Sequence, residues 1–226
     1  MSTFDFGATR PKNIDQNVQG SAGGAKIRSN MDSLLGAELV EISLTGPIDE
    51  IAADIVCDGF FKATRRKQAS VMFFIHSTGG SVAAGKRILD AMRVYRKVVH
   101  GGVHTHVAVQ AMSMAAVLFL YGDYRTMCKT ATLMLHQVSI RDTVTCSRTA
   151  TDSASSSAYH TKLNSELFEI VASRCLLTME DLRRQAFAQD WYVCAEDAVK
   201  SKMVECVLDC SPYTTIQLSC KLDIHE

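Results

Sequence analysis

Between residues 38 and 140, apolar runs of strand length alternate with stretches of helical period. "ELVEISLTG" (38–46) alternates apolar and polar side chains as a strand does, and "GPID" turns it. "PIDEIAADIVCDGFFKAT" then has Ile48, Ile51, Ile55 and Phe60 at near-helical spacing. Asp49 and Glu50 come early in it, where carboxylates favour the helix dipole. "ASVMFFIHS" (69–77) is apolar without alternation, the pattern of a strand buried on both faces. "AAGKRILDAMRVYRK" (83–97) puts Ile88, Leu89, Met92 and Tyr95 on one helical stripe. "VHTHVAV" (103–109) reads as a strand, "MSMAAVLFLYG" as a helix ending at Gly122, and "TATLMLHQVS" (130–139) as a strand running into a loop. Three or more such alternations predict an α/β domain with right-handed crossovers and a mainly parallel sheet.

The flanks read differently. Residues 1–36 are polar and glycine-rich without apolar periodicity, which predicts a mobile arm. Residues 37–210 form the domain and 211–226 a tail. Within the domain, the region 140–175 begins polar and then carries Leu163, Leu167, Ile170 and Val171 at helical spacing. It reads equally as a long helix projecting from the domain or, around the Ser/Ala stretch 153–158, as a flexible linker. Thr178 with Glu180 and Asp181 signals a helix start. "WYVCAEDAVKSKMVECVL" predicts a short strand, a short helix and a closing strand.

Lys+Arg and Asp+Glu both number 24 in the 226 residues, so there is no basic field to hold a phosphate backbone. Nucleic acid is therefore not an expected partner, and zero net charge mildly favours self-association. "AAVLFLY" and "VMFFI" are too short to span a bilayer. The eight cysteines form no C-x-x-C pair and follow no signal peptide, so reduced thiols in a soluble cytoplasmic protein are expected.

Sites in parallel sheets gather at the carboxyl ends of the strands. Gly79–Gly80, Ser113 and His136 all fall just after predicted strand ends. Adjacent glycines there let backbone N–H groups approach a substrate closely, as an oxyanion site requires. A histidine leaving a strand suits a general base that takes a hydroxyl proton. His100, His104 and His106 form H-x3-H-x-H, but no acid or cysteine is close in sequence and no zinc spacing is matched, so solvated or core-edge histidines are expected. There is no G-x-S-x-G, P-loop or G-x-G-x-x-G. Neither metal nor cofactor is called for. A serine–histidine pair needs a third group to orient the base, and spacing leaves Asp142, Asp152, Asp181, Asp190 and Asp197 open.

Five segments, in order, resemble the ClpP family, the proteolytic subunits of the caseinolytic protease. "LTGPIDEIAADIV" is similar to its "G-x-x-I-[DN]" turn, and "FFIHSTGGSVAAGKRILDAMR" to its strand, "S-P-G-G" turn and helix. "QAMSMAAVLFLYG" is similar to the nucleophile segment "A-A-S-M-[GA]", and "LMLHQ" to "[VM]-M-I-H-Q". "AQDWYVCAEDAVKSKMVECVL" is similar to "R-D-x-[FY]-[ML]-[ST]-A-x-E-A-x-x-Y-G-L-[IV]-D". The likeness covers about residues 38–208 and is that of a divergent member. Thr78 and Val138 stand where the family has proline, Ala115 where it commonly has glycine, and Gln189 where it has arginine.

The resemblance implies the ClpP/crotonase fold of repeated β-β-α units, with a handle helix at about 149–174. It implies Ser113 as nucleophile, His136 as base and Asp190 as its orienting acid, with the N–H groups of Gly80 and Met114 as oxyanion hole. It also implies a homo-oligomer of heptameric rings, possibly stacked in pairs, that cleaves unfolded polypeptide fed by an AAA+ unfoldase. Three other readings stand beside this one. They are a phage-type prohead protease of the same fold, a non-catalytic scaffold ring subunit, and a crotonase-type acyl-CoA enzyme.

Overall fold

The structure is a computed structural model that describes residues 39–66, 70–99, 102–138, 150–187 and 189–209. The expected arm, tail and loop 139–149 lie outside the described residues, as does His100. The element order is β1 (Leu39–Thr45), α1 (Glu50–Arg65), β2 (Ser70–Ser77), α2 (Val82–Val98), β3 (Val103–Met112), α3 (Met114–Leu120), β4 (Tyr124–Cys128), β5 (Thr132–Leu135), α4 (Ala150–Ala172), α5 (Met179–Ala186), β6 (Trp191–Cys194), α6 (Ala195–Lys200) and β7 (Cys206–Leu208). Strands β1-β2-β3-β4-β7 run in parallel in that order, and β5 and β6 branch from β3. This is the mixed α/β, mainly parallel fold the sequence predicts.

β3 is long enough to serve two sets of neighbours. Val103–Val107 pair with β2, and His104–Val107 pair with β4. Past a register shift, Ala111 still pairs with Ser77 of β2, while on the other side Gln110–Met112 pair with β5 where the pairing with β4 has ended at Val107. β5 thus follows β4 along that side of β3 and ends beside the end of β3. β6 is antiparallel to β5, with Leu135 opposite Trp191.

Asp49 caps α1, its Oδ1 accepting from Ala52 N–H at 2.8 Å. The buried face of α1 is Ala53, Val56, Phe60 and Ala63. Ile51 and Ile55, which the spacing assigns to an apolar stripe with Phe60, are instead 71% and 64% exposed. The stripe through Ala53 and Val56 lets the helix approach the sheet more closely, and Phe60 packs edge-on to Phe73 at 5.6 Å and Tyr95 at 6.0 Å. In α2 the expected stripe of Ile88, Leu89, Met92 and Tyr95 is buried.

The region left open between helix and linker is the 23-residue helix α4. Leu163, Leu167, Phe168 and Val171 are buried on it. Thr178 and Asp181 form a capping box at the start of α5. Cys57, Cys175, Cys194 and Cys206 are free thiols, but Cys128 is disulfide-bonded, against the expectation of reduced thiols throughout.

Candidate active site

Three strand ends deliver the site. β2 ends at Ser77 and leads into Gly79–Gly80, β3 ends at Met112 before Ser113, and β5 ends at Leu135 before His136. Ser113 N–H donates to Met134 O at 2.7 Å, so the turn after β3 is tied to the strand that carries the histidine. Ser113 has φ 55° and ψ −126°, a conformation that costs a non-glycine residue about 1–3 kcal/mol. The turn lifts the hydroxyl off the sheet at the head of α3.

Ser113 Oγ lies 2.7 Å from His136 Nε2. When the hydroxyl donates, Nε2 is the unprotonated nitrogen and Nδ1 carries the proton. Asp190 Oδ1 is 3.7 Å from Nδ1, longer than a hydrogen bond, and its side chain is 54% exposed. The antiparallel register explains its placement: Trp191 opposes Leu135, so the residue before Trp191 comes opposite the residue after Leu135. Of the aspartates that spacing leaves open, Asp190 is the one among the described residues that is brought to His136. Asp181 is held in its capping box, and its carboxyl is lowered by the Thr178 hydroxyl and N–H. Asp197 pairs with Lys200, which lowers it as well. Asp142 and the side chain of Asp152 lie outside the described residues.

The glycine pair fits closely under the serine. Gly79 has φ +88°, and a Cβ there would stand 2.7 Å from Ser113 Cβ and 2.6 Å from Met112 O. Gly80 has φ +153°, and a Cβ there would meet Ile48 O at 2.3 Å. Ile48 N–H donates to Gly79 O at 2.9 Å and Ser81 N–H to Ile48 O at 2.7 Å. That bridge leaves the N–H of Gly80 itself directed away from Ile48. Met114 opens α3, where a helix cannot satisfy its own N–H groups.

A cavity of about 60 Å³ adjoins the serine and histidine. Val82, Val117, Leu135, Val138, Leu167 and Phe168 give it apolar walls, and Gly80, Met114 and Asn164 also line it. Asn164 is a site-lining residue that sequence reasoning missed. Its only signal was an amide set between Leu163 and Leu167 on an apolar helical face.

His104 and His106 lie on β3, away from this cavity. His106 Nδ1 is 2.8 Å from Thr126 Oγ1, and its Nε2 is 3.8 Å from Cys128 Sγ. Burial lowers both imidazoles, with Asp123 partly opposing this at His104. Phe74 of β2 packs edge-on to His106, and Tyr124, Thr126 and Cys128 beside the two rings come from β4, which sequence reasoning did not identify. Among the described residues no group of three or more His, Cys, Asp or Glu could hold a metal ion, and no helix is long and apolar enough to cross a membrane.

The Clp protease family model matches residues 24–211. Among curated proteins, the ATP-dependent Clp protease proteolytic subunit of Streptococcus suis is 26% identical over 171 residues. That match covers 74% of this chain and 84% of the relative. The subunit of the same name from Streptococcus pyogenes is 25% identical over the same shares of both chains. Family match, parallel sheet and strand-end turns agree: the chain belongs to the Clp protease family.

Proposed function

We propose that the protein is a serine endopeptidase that cleaves unfolded polypeptides. The observation that carries this reading is the 2.7 Å approach of Ser113 Oγ to His136 Nε2 beside an apolar cavity. Ser113 attacks the peptide carbonyl while its proton passes to Nε2. The tetrahedral oxyanion accepts from the N–H groups of Gly80 and Met114. As the intermediate collapses, the departing amine takes the proton from His136. Water then attacks the acyl-serine, gives its proton to His136, and the proton returns to Ser113 Oγ. Asp190 holds Nδ1–H in this cycle. Closing its gap to hydrogen-bond length takes a movement of about 1 Å, which its exposure permits.

The working form is a homo-oligomer, and a Clp-type ATPase is the partner that supplies unfolded chains. Family membership supports both, and the exposed apolar residues of α1 fit the first. Among the described residues no feature of the site favours acyl-CoA chemistry, which does not need a Ser-His-Asp set. The test is hydrolysis of an unfolded, dye-quenched casein and of short fluorogenic peptides. Wild type should cleave the peptides, and Ser113→Ala should lose at least about a thousandfold in rate while keeping its circular dichroism. Equal cleavage by Ser113→Ala would remove Ser113 from the mechanism.

A further inference from the structure

The ladder of β5 stops at Leu135, so the backbone that carries His136 leaves the sheet at the point where the base must be fixed. Two hydrogen bonds hold the next stretch of chain. Gln137 N–H donates to Ala186 O of α5 at 3.0 Å. Val138 N–H donates to Asn164 Oδ1 of α4 at 2.6 Å. Asn164 is 7% exposed, one of few polar side chains buried among the described residues. Its neighbours on that face, Leu163 and Leu167, are buried leucines. Leucine is the better helix former, and burying an amide is costly unless it is hydrogen-bonded. The amide therefore needs a reason to be there, and Val138 supplies it.

Position 138 is one of the places where the chain departs from the family pattern. Proline at that place has a fixed φ and no N–H to satisfy. Valine has a free φ and an N–H, here half-buried, that Asn164 Oδ1 accepts. We propose that Asn164 is a positioning residue for His136, fixing by a hydrogen bond the segment that a proline ring at 138 would fix by covalent geometry. This rests on the serine peptidase reading of the site. Asn164 also lines the cavity beside Ser113, so α4 joins the substrate-facing wall to the backbone of the base.

The test is the second-order rate at which a fluorophosphonate labels Ser113 in the full chain. It reports activation of the serine without choosing a substrate. Asn164→Leu removes the acceptor and should slow labelling by about tenfold to a hundredfold, the range for a small misplacement of a catalytic group. Adding Val138→Pro to Asn164→Leu removes the orphaned N–H and restrains the backbone, and should recover most of the rate. Asn164→Asp keeps an oxygen for Val138 N–H and should lose much less than Asn164→Leu. Should Asn164→Leu alone not fold, the double variant and Asn164→Asp carry the same decision. Labelling of Asn164→Leu at the wild-type rate would overturn the proposal. So would a loss that neither Val138→Pro nor Asn164→Asp mitigates, since that marks lost packing. A folded wild type that does not label overturns the peptidase reading itself, a result distinct from either.

Discussion

A Cβ at Gly79 would stand 2.7 Å from the Cβ of Ser113, and the residue's φ of +88° already lies in the region glycine favours. Gly79→Ala should therefore destabilise the fold by about 2 kcal/mol or more, combining backbone strain with a clash against main chain. It should also displace Ser113, the proposed nucleophile, so urea denaturation and peptide hydrolysis on the same sample should both register the change. Wild-type stability and activity would show that the turn can relax. Lys202 presents the opposite case, a side chain at φ 51° where glycine would be at ease. Lys202→Gly should raise stability by about 0.5–1 kcal/mol, read as an increase in Tm. Two histidines add a pH dependence. Burial holds His104 and His106 below 6.5, so the folded chain takes up protons later than the unfolded one. Stability should be full above that value and fall as pH drops below it. A Tm series from about pH 8 to about pH 5 should show the decline, and His106→Gln should flatten it. A slope unchanged in that variant would place the titration elsewhere.

At the scale of elements, β4 turns on one buried cation. Arg125 is 6% exposed and ion-pairs with Glu205. It also donates to the carbonyl oxygens of Leu120, Arg174 and Lys202. It thus joins α3, the end of α4, the turn after α6 and the approach to β7. Arg125→Met should cost about 3–5 kcal/mol, because Glu205 loses its counter-charge, keeping only the N–H of residue 125, and three carbonyls lose a donor. Chemical denaturation checks this, and a loss under about 1 kcal/mol would show that solvent replaces the guanidinium. The same residue explains why β4 was illegible in the sequence. "YRTMC" is five residues long, has little apolar alternation and carries its charge inward, so it lacks a strand pattern even though Gly122–Asp123 marks the turn before it. By contrast β2 and α2 were legible because their apolar periods are uninterrupted. On α1 the larger apolar residues misled, since close packing selected the alanine-containing face over Ile51 and Ile55. The juxtaposition of the candidate residues was legible where residue type and strand end coincide, as at Gly79, Ser113 and His136. Asp190 depends on antiparallel register and Asn164 on the packing of α4, and spacing carries neither.

For the whole molecule, the exposed α1 residues bear on assembly. Ile51 and Ile55 are one helical turn apart and largely in solvent, with Phe61 58% exposed further along the helix. Zero net charge opposes association only weakly. If this face meets a second copy of the chain, Ile51→Glu combined with Ile55→Lys should shift the mass by light scattering to that of a smaller species while the fold persists. An unchanged mass would place the interface elsewhere. Assembly and site then form one account, in which the sheet delivers three turns to one edge and the serine is activated there. The most direct test of that central claim is labelling of the native protein with a fluorophosphonate, with Ser113→Ala and His136→Ala alongside. The account predicts stoichiometric labelling of wild type and none of either variant. A folded wild type left unlabelled, or His136→Ala labelled as fast as wild type, would contradict it.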